Sequence, residues 1–202
     1  NYTFDEVLGA NIVGTQNVFE AARQNGVRQV VYASSHHAVG FVPRGQFIDH
    51  TTAHRPDTPY GLSKAFGESA AAYFADKFGL NILSIRIGYV GPNIPNERRL
   101  HTWISARDLA QLIEIGLTTK NLGHEVVYGV SQAPEPFFDN ANAIRLGYKP
   151  QDCTHDAITD PSVLELKPNL ETIEEGVVGG GFAAVDFAGN SSRVLSKQNL
   201  AP

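Results

Sequence analysis

The 202-residue sequence has no methionine, one cysteine and one tryptophan, and its shortages close off several classes of protein. A lone Cys153 cannot close an internal disulfide, which excludes a small scaffold stapled in an oxidising compartment. No run of about 18 apolar residues is present to cross a bilayer as a helix. Positive charge is in deficit: 16 Lys and Arg stand against 21 Asp and Glu, a formal net charge of −5. With no basic stripe to meet a phosphate backbone, neither nucleic acid nor membrane is an expected partner. The opening residues, "NYTFDEVLGA", have neither the basic start nor the apolar core of a signal peptide, so the cytoplasm is the expected compartment. The lack of methionine, with Asn1 in first place, points to a fragment or a processed chain. A single cysteine also forbids a C-x-x-C clip, and no metal is expected.

What is present is 42% hydrophobic and 18% charged, enough for one substantial core. Helical spacing of Val7, Leu8, Ile12, Val18, Phe19 and Ala22 predicts a helix over about 3–25, stopped by Gly26. "VRQVVYASS" (27–35) is short, continuous and β-branched, as a strand buried on both faces should be. A second helix is predicted over 59–78, with Asp57 or Thr58 as its cap, Pro59 in its first turn, and Leu62, Phe66, Ala70, Tyr73 and Phe74 on one face. A strand within 80–91, a helix over 105–119 with Asp108 in a structural role, and a strand within 123–131 follow. This alternation predicts an α/β fold, a parallel sheet covered by helices. From Cys153 the periodicity fails, and 153–202 reads as an irregular tail. Gly179, Gly181 and Ala184 satisfy G-x-G-x-x-A there, but a dinucleotide loop needs a strand before it and a helix after it, so the match is read as incidental.

The most chemical pattern is Tyr60 and Lys64, four apart in the first turns of the second helix. That spacing puts both side chains on one face. A tyrosine is a poor base at neutral pH, and a nearby ammonium stabilises its phenolate. The pair alone is a weak signal; its neighbours strengthen it. "NIVGTQNVFEAAR" (11–23), "VVYASS" (30–35), "YGLSK" (60–64), "RIGYVGP" (86–92) and "LGYKP" (146–150) occur in an order that resembles the extended short-chain dehydrogenase/reductase, or NAD-dependent epimerase/dehydratase, family. "ASSHHAVGFVPR", "NERRLHTWISARDLAQLIE" and "PFFDN" are most similar to its uronate dehydrogenases.

The resemblance implies a Rossmann-like, doubly wound parallel sheet, with residues 1–152 forming its C-terminal portion and the first strands and glycine-rich turn missing. Two of the remaining strands would then expose an open apolar edge. It implies that the parent protein, and not this fragment alone, oxidises C1 of a uronic acid, such as glucuronate or galacturonate, to an aldarolactone, with NAD as cofactor and NADP not excluded. Tyr60 would be the general base. Lys64 would assist it and hold the nicotinamide ribose, and Ser35 would bind the reacting oxygen, with Ser34 as its rival and as a cofactor contact. Asn11 would lie near the cofactor. His36 and His37 would meet substrate hydroxyls, and Arg98 would grip the carboxylate through its guanidinium fork. Tyr89 would line the substrate site, where these enzymes tend to carry a small hydroxyl residue. A homo-oligomer formed through 3–25 and 59–78 is also implied. The alternatives are a nucleotide-sugar epimerase or dehydratase, and a non-catalytic paralogue that retains only oligomerisation.

Overall fold

The computed structural model describes residues 3–196. The elements in chain order are α1 (Phe4–Val7), a π-helical stretch (Leu8–Val13), α2 (Gly14–Gln24), β1 (Gln29–Ser35), α3 (Pro59–Phe78), β2 (Asn81–Ile87), β3 (Tyr89–Val90), α4 (Glu97–Leu100), β4 (Trp103–Ile104), α5 (Ala106–Thr118), β5 (His124–Gly129) and α6 (Ala141–Arg145). Three continuous apolar runs become one parallel sheet in the order β1-β2-β5. Phe19, Tyr32, Phe74, Leu80 and Ile82 fill one side of it, beneath α2 and α3. Leu83, Ile85, Leu112, Val127 and Tyr148 fill the other, beneath α5. Register brings Ser35, Ile87 and Gly129 level at the carboxyl ends of the strands, the edge where sheets of this kind bind ligands.

The predicted first helix is one helical run with a widened middle. A π-helical turn replaces α-geometry over Leu8–Val13 and carries Asn11 toward α3. The second helix has its predicted bounds: Thr58 caps it by accepting from the Gly61 amide, and Gly79 ends it at a φ of +71°, which glycine adopts without strain. The apolar positions expected on one face divide between solvent and core. Leu62, Phe66 and Tyr73 are exposed, while Gly61, Ala65, Gly67, Ala70, Ala71, Phe74 and Ala75 are buried. α3 lies so close to β1 that a Cβ on Gly67 would overlap the Tyr32 hydroxyl, and most of the contact face must therefore be small.

One sheet edge bears on the site. Among the described residues β1 and β5 are the outer strands, each without a strand on one side, and β2 is paired on both. Beyond Cys153 the described residues form 3-10 turns and the short helices α7 (Ile173–Gly176), α8 (Gly181–Ala184) and α9 (Ser191–Leu195). The segment is nonetheless tied to the fold: Val178 and Gly179 donate to the Val42 and Gly40 carbonyls, and Pro43 bridges Val177. This brings 176–182 against the carboxyl end of β1.

Candidate active site

Three elements converge at that end. β1 delivers Ser35, whose Oγ accepts the His37 amide at 3.2 Å and starts a 3-10 turn over His36–Val39. The first turns of α3 deliver Tyr60 and Lys64. The Lys64 ammonium donates to the Ala33 carbonyl at 2.8 Å and lies 5.4 Å from the ring centroids of both Tyr60 and Tyr32. Burial lowers the Lys64 pKa from its ordinary value. With one N–H on Ala33, the ammonium has two more to offer at the accessible end of β1, a donor set suited to ribose hydroxyls beside Tyr60. Asn11 supports this face from behind: its amide donates to Ser63 Oγ at 3.0 Å, and Ser63 donates to the Tyr60 carbonyl at 2.7 Å. It steadies the turn that carries Tyr60.

The two serines separate, because successive strand residues face opposite sides. Ser34 points under α3 and donates to Glu68 at 2.5 Å. Glu68 is itself buried against Arg86 at 2.9 Å and His54 at 2.7 Å. Burial would raise the Glu68 carboxyl, but the bonds from His54 and Arg86 and the Arg86 charge outweigh it and hold the pKa at about 2. Ser34 thus serves this internal network beneath α3, on the face away from Ser35.

The adjacent histidines also take different partners. His36 is buried, with Nδ1 donating to the Ile87 carbonyl at 3.0 Å and Nε2 accepting from Arg98 Nη2 at 3.2 Å. Burial first, then the charges of His37 and Arg98, push its pKa well below the ordinary value, so the ring is neutral. Both nitrogens are engaged by protein, so His36 positions Arg98. His37 instead donates from Nδ1 to the buried Asp57 at 2.7 Å. Its ring meets Tyr60 edge-on at 6.2 Å and Phe182 of α8 at 5.1 Å.

Arg98 reaches the site from α4, where Asn96 caps the helix by accepting from the Arg99 amide. Its guanidinium donates to the Val178 carbonyl as well as to His36, and its Nε has no hydrogen-bond partner. Burial, with the neighbouring Arg99 charge, lowers its pKa to about 10. The glycines of 179–181 make this approach possible: a Cβ on Gly180, at φ +67°, would fall against Arg98, and one on Gly179 against the Asp57 carboxylate. The run is no pyrophosphate loop, since an isolated bridge precedes it and a four-residue helix follows.

Tyr89 stands apart. Its ring packs in the Ile94 and Trp103 cluster with the Arg99 guanidinium 4.5 Å above it, and its hydroxyl lies against Gly91. No described hydrogen bond or ring contact joins it to Tyr60 or His37. Asp108 is structural, as expected, but not as a local cap. Ser105 caps α5, and buried Asp108 accepts from Ser131 at 2.6 Å and from the Gln151 amide at 2.8 Å. His50 and His54 have the H-x-x-x-H spacing of metal sites, yet among the described residues no group of three or more potential ligands could hold an ion.

Sequence reading did not assign Asp57 or Phe182 to the site, nor Glu68 and Arg86 to the network beneath it. Asp57 appeared there only as a possible cap, and Phe182 sits in a segment without periodicity.

The profile of the NAD dependent epimerase/dehydratase family matches residues 3–123. Uronate dehydrogenase of Pseudomonas putida is 42% identical over 184 residues, covering 90% of this chain and 68% of that protein. Uronate dehydrogenase of Pseudomonas syringae pv. tomato is 46% identical over 149 residues, covering 74% of this chain and 54% of the relative. A mutant uronate dehydrogenase from Agrobacterium tumefaciens, solved in complex with NAD, superposes with a TM-score of 0.83 at 34% identity, over 91% of this chain and 69% of that one. The chain therefore spans between about half and about 70% of the relatives it matches.

Proposed function

The chain belongs to the NAD dependent epimerase/dehydratase family, and from that premise we propose that it carries the catalytic and substrate residues of an NAD-dependent dehydrogenase that oxidises C1 of a uronic acid to an aldarolactone. NAD, when bound, supplies the hydride acceptor, with its ribose held by Lys64 and Tyr60. Tyr60 accepts the C1 hydroxyl proton as the carbonyl forms. The Lys64 ammonium favours the phenolate that takes that proton. Ser35, at the strand end, hydrogen-bonds the reacting oxygen and fixes it for the transfer.

The observation that carries the substrate class is Arg98. A guanidinium drawn into the fold by a neutral histidine and a carbonyl is a cation whose hydrogen bonds go to uncharged groups, and such a group suits a carboxylate. Neither of its protein partners is an anion. A sugar acid such as glucuronate or galacturonate would supply the missing negative charge.

A second copy of the chain is the proposed macromolecular partner. Leu62, Phe66 and Tyr73 form an exposed stripe on α3, and Leu8, Val13 and Val18 are exposed on the adjoining helical run, an apolar surface suited to self-association. Among the described residues no helix is long and apolar enough to cross a membrane. The cytoplasm is the proposed compartment, in keeping with a single free Cys153. The test is NADH formation with glucuronate and galacturonate, alongside glucose and galactose as neutral counterparts. Turnover of the acids supports the reading; turnover confined to the neutral sugars, or to nucleotide sugars, overturns it.

A further inference from the structure

Asp57 is more deeply buried than its place before a helix requires. Its side chain has no exposed surface, and Thr58 rather than Asp57 caps α3. The carboxylate lies between two glycine backbones: a Cβ on either Gly40 or Gly179 would fall against its Oδ2. A buried carboxylate is costly unless hydrogen-bonded, and its described side-chain partners are the Thr58 hydroxyl at 3.1 Å and His37 Nδ1 at 2.7 Å. Two segments far apart in sequence are thus shaped around one bond from a carboxylate to a histidine.

The consequence lies on the other edge of that histidine. A carboxylate can only accept, so the Nδ1 of His37 holds the proton of this bond. In the neutral ring Nε2 is then left with its lone pair. No protein hydrogen bond reaches Nε2 among the described residues, and 11% of the His37 side chain is exposed, on a ring bounded by Tyr60, Phe182 and the stacked His36. Nothing in the reaction proposed above requires Asp57.

We propose that Asp57 is a positioning residue that fixes His37 in the Nδ1–H tautomer, so that His37 Nε2 becomes a hydrogen-bond acceptor for a sugar hydroxyl beside Tyr60. The ligand is identified by chemistry: the group at this point must donate, which a hydroxyl does and an ether, a carboxylate or a carbonyl oxygen does not. The same carboxylate, through Gly179, seats the segment that presents the Val178 carbonyl to Arg98 and Phe182 to His37. The hydroxyl assignment rests on the sugar-acid reading, whereas the tautomer does not.

The experiment begins with the protein alone. Long-range proton–nitrogen NMR on the histidine-labelled chain at neutral pH, with His37→Gln identifying the resonance, is expected to show a protonated Nδ1 and an unprotonated Nε2. Asp57→Asn, nearly isosteric, is expected to abolish that preference, because an amide can face either form of the ring. A proton on Nε2 in the wild type, whether as the other tautomer or as an imidazolium, overturns the proposal, and this reading needs no variant to fold. In turnover, Asp57→Asn is expected to raise the uronate KM at least about tenfold with the NAD KM unchanged, the cost of mispairing one hydroxyl. An unchanged uronate KM despite a lost tautomer overturns the link to the hydroxyl. Lack of turnover with every uronate, beside the expected tautomer, counts against the substrate reading and leaves the Asp57 assignment standing.

Discussion

Arg98 donates from Nη2 to the Nε2 of His36, and His36 can accept because its other nitrogen gives its proton to the Ile87 carbonyl at the end of β2. A cation is thereby anchored to the sheet through a neutral ring, and its described hydrogen bonds go to no carboxylate, although Asp57 and Glu97 act on it through space. Arg98→Ala is expected to raise the uronate KM roughly tenfold to a hundredfold, the worth of charge-assisted hydrogen bonds. KM for the matching neutral aldose should change far less. Equal losses on acid and neutral sugar would remove Arg98 as the carboxylate ligand.

Tyr60→Phe keeps the ring against His37 and removes the group that moves the proton. The expected result is a fall in kcat of at least about a hundredfold, as for loss of a general base. NAD affinity, followed by fluorescence titration, should remain nearly intact because Lys64 keeps its bond to Ala33. A variant that retains most of its turnover would place the base elsewhere.

The sequence disclosed those parts of the site whose geometry is local. Tyr60 and Lys64 share a helix face by spacing alone, and the strand and helix containing Ser35 and Tyr60 follow from apolar runs and from the Thr58 and Gly79 caps. What stayed hidden depends on contacts between distant segments. Leu62, Phe66 and Tyr73 satisfy helical periodicity, yet they face outward because the buried side of α3 must be small to approach Tyr32. Ser34 and Ser35 are chemically identical in the sequence, and the parity of the strand assigns one to Glu68 and the other to the site. Asp57 and Phe182 lie about 120 residues apart and meet His37 only after 176–182 folds back on Gly40. No periodic pattern encodes that return.

The Arg86 and Glu68 pair sets the acid limit of the fold. Both side chains are buried, and Arg86 also donates to the Tyr128 hydroxyl at 2.8 Å. The folded state holds the Glu68 carboxyl at about 2, against an ordinary 4.5, so the unfolded chain takes up that proton first as the pH falls. Its contribution is complete above about 4.5 and is lost progressively toward about 2. Thermal melts over that window should show a falling Tm in the wild type. Arg86→Met, which leaves the buried carboxylate with His54 and Ser34 alone, should lower stability at neutral pH by about 3–5 kcal/mol and weaken the acid dependence, because the Arg86 bonds and charge no longer help to keep the carboxyl ionised. An acid profile unchanged by the substitution would assign the loss to other carboxylates.

The α3 stripe gives the last prediction, because nothing among the described residues covers it. Leu62, Phe66 and Tyr73 are 47%, 36% and 49% exposed at positions that recur on one side of the helix, and Val18 is 60% exposed on α2. Such a patch costs free energy in water, and a two-fold related copy offers a self-complementary cover. Phe66→Asp places a charge in the stripe at a residue that is not part of the α2 and α3 core cluster. Light scattering should therefore find the wild type as a dimer or larger and the variant as a monomer with an unchanged far-ultraviolet spectrum. A wild type that is monomeric at all accessible concentrations would show that the stripe is not a self-association surface. Because Tyr60 and Lys64 occupy the first turns of the same helix, loss of the partner should also lower kcat; full activity in the monomer would separate assembly from catalysis.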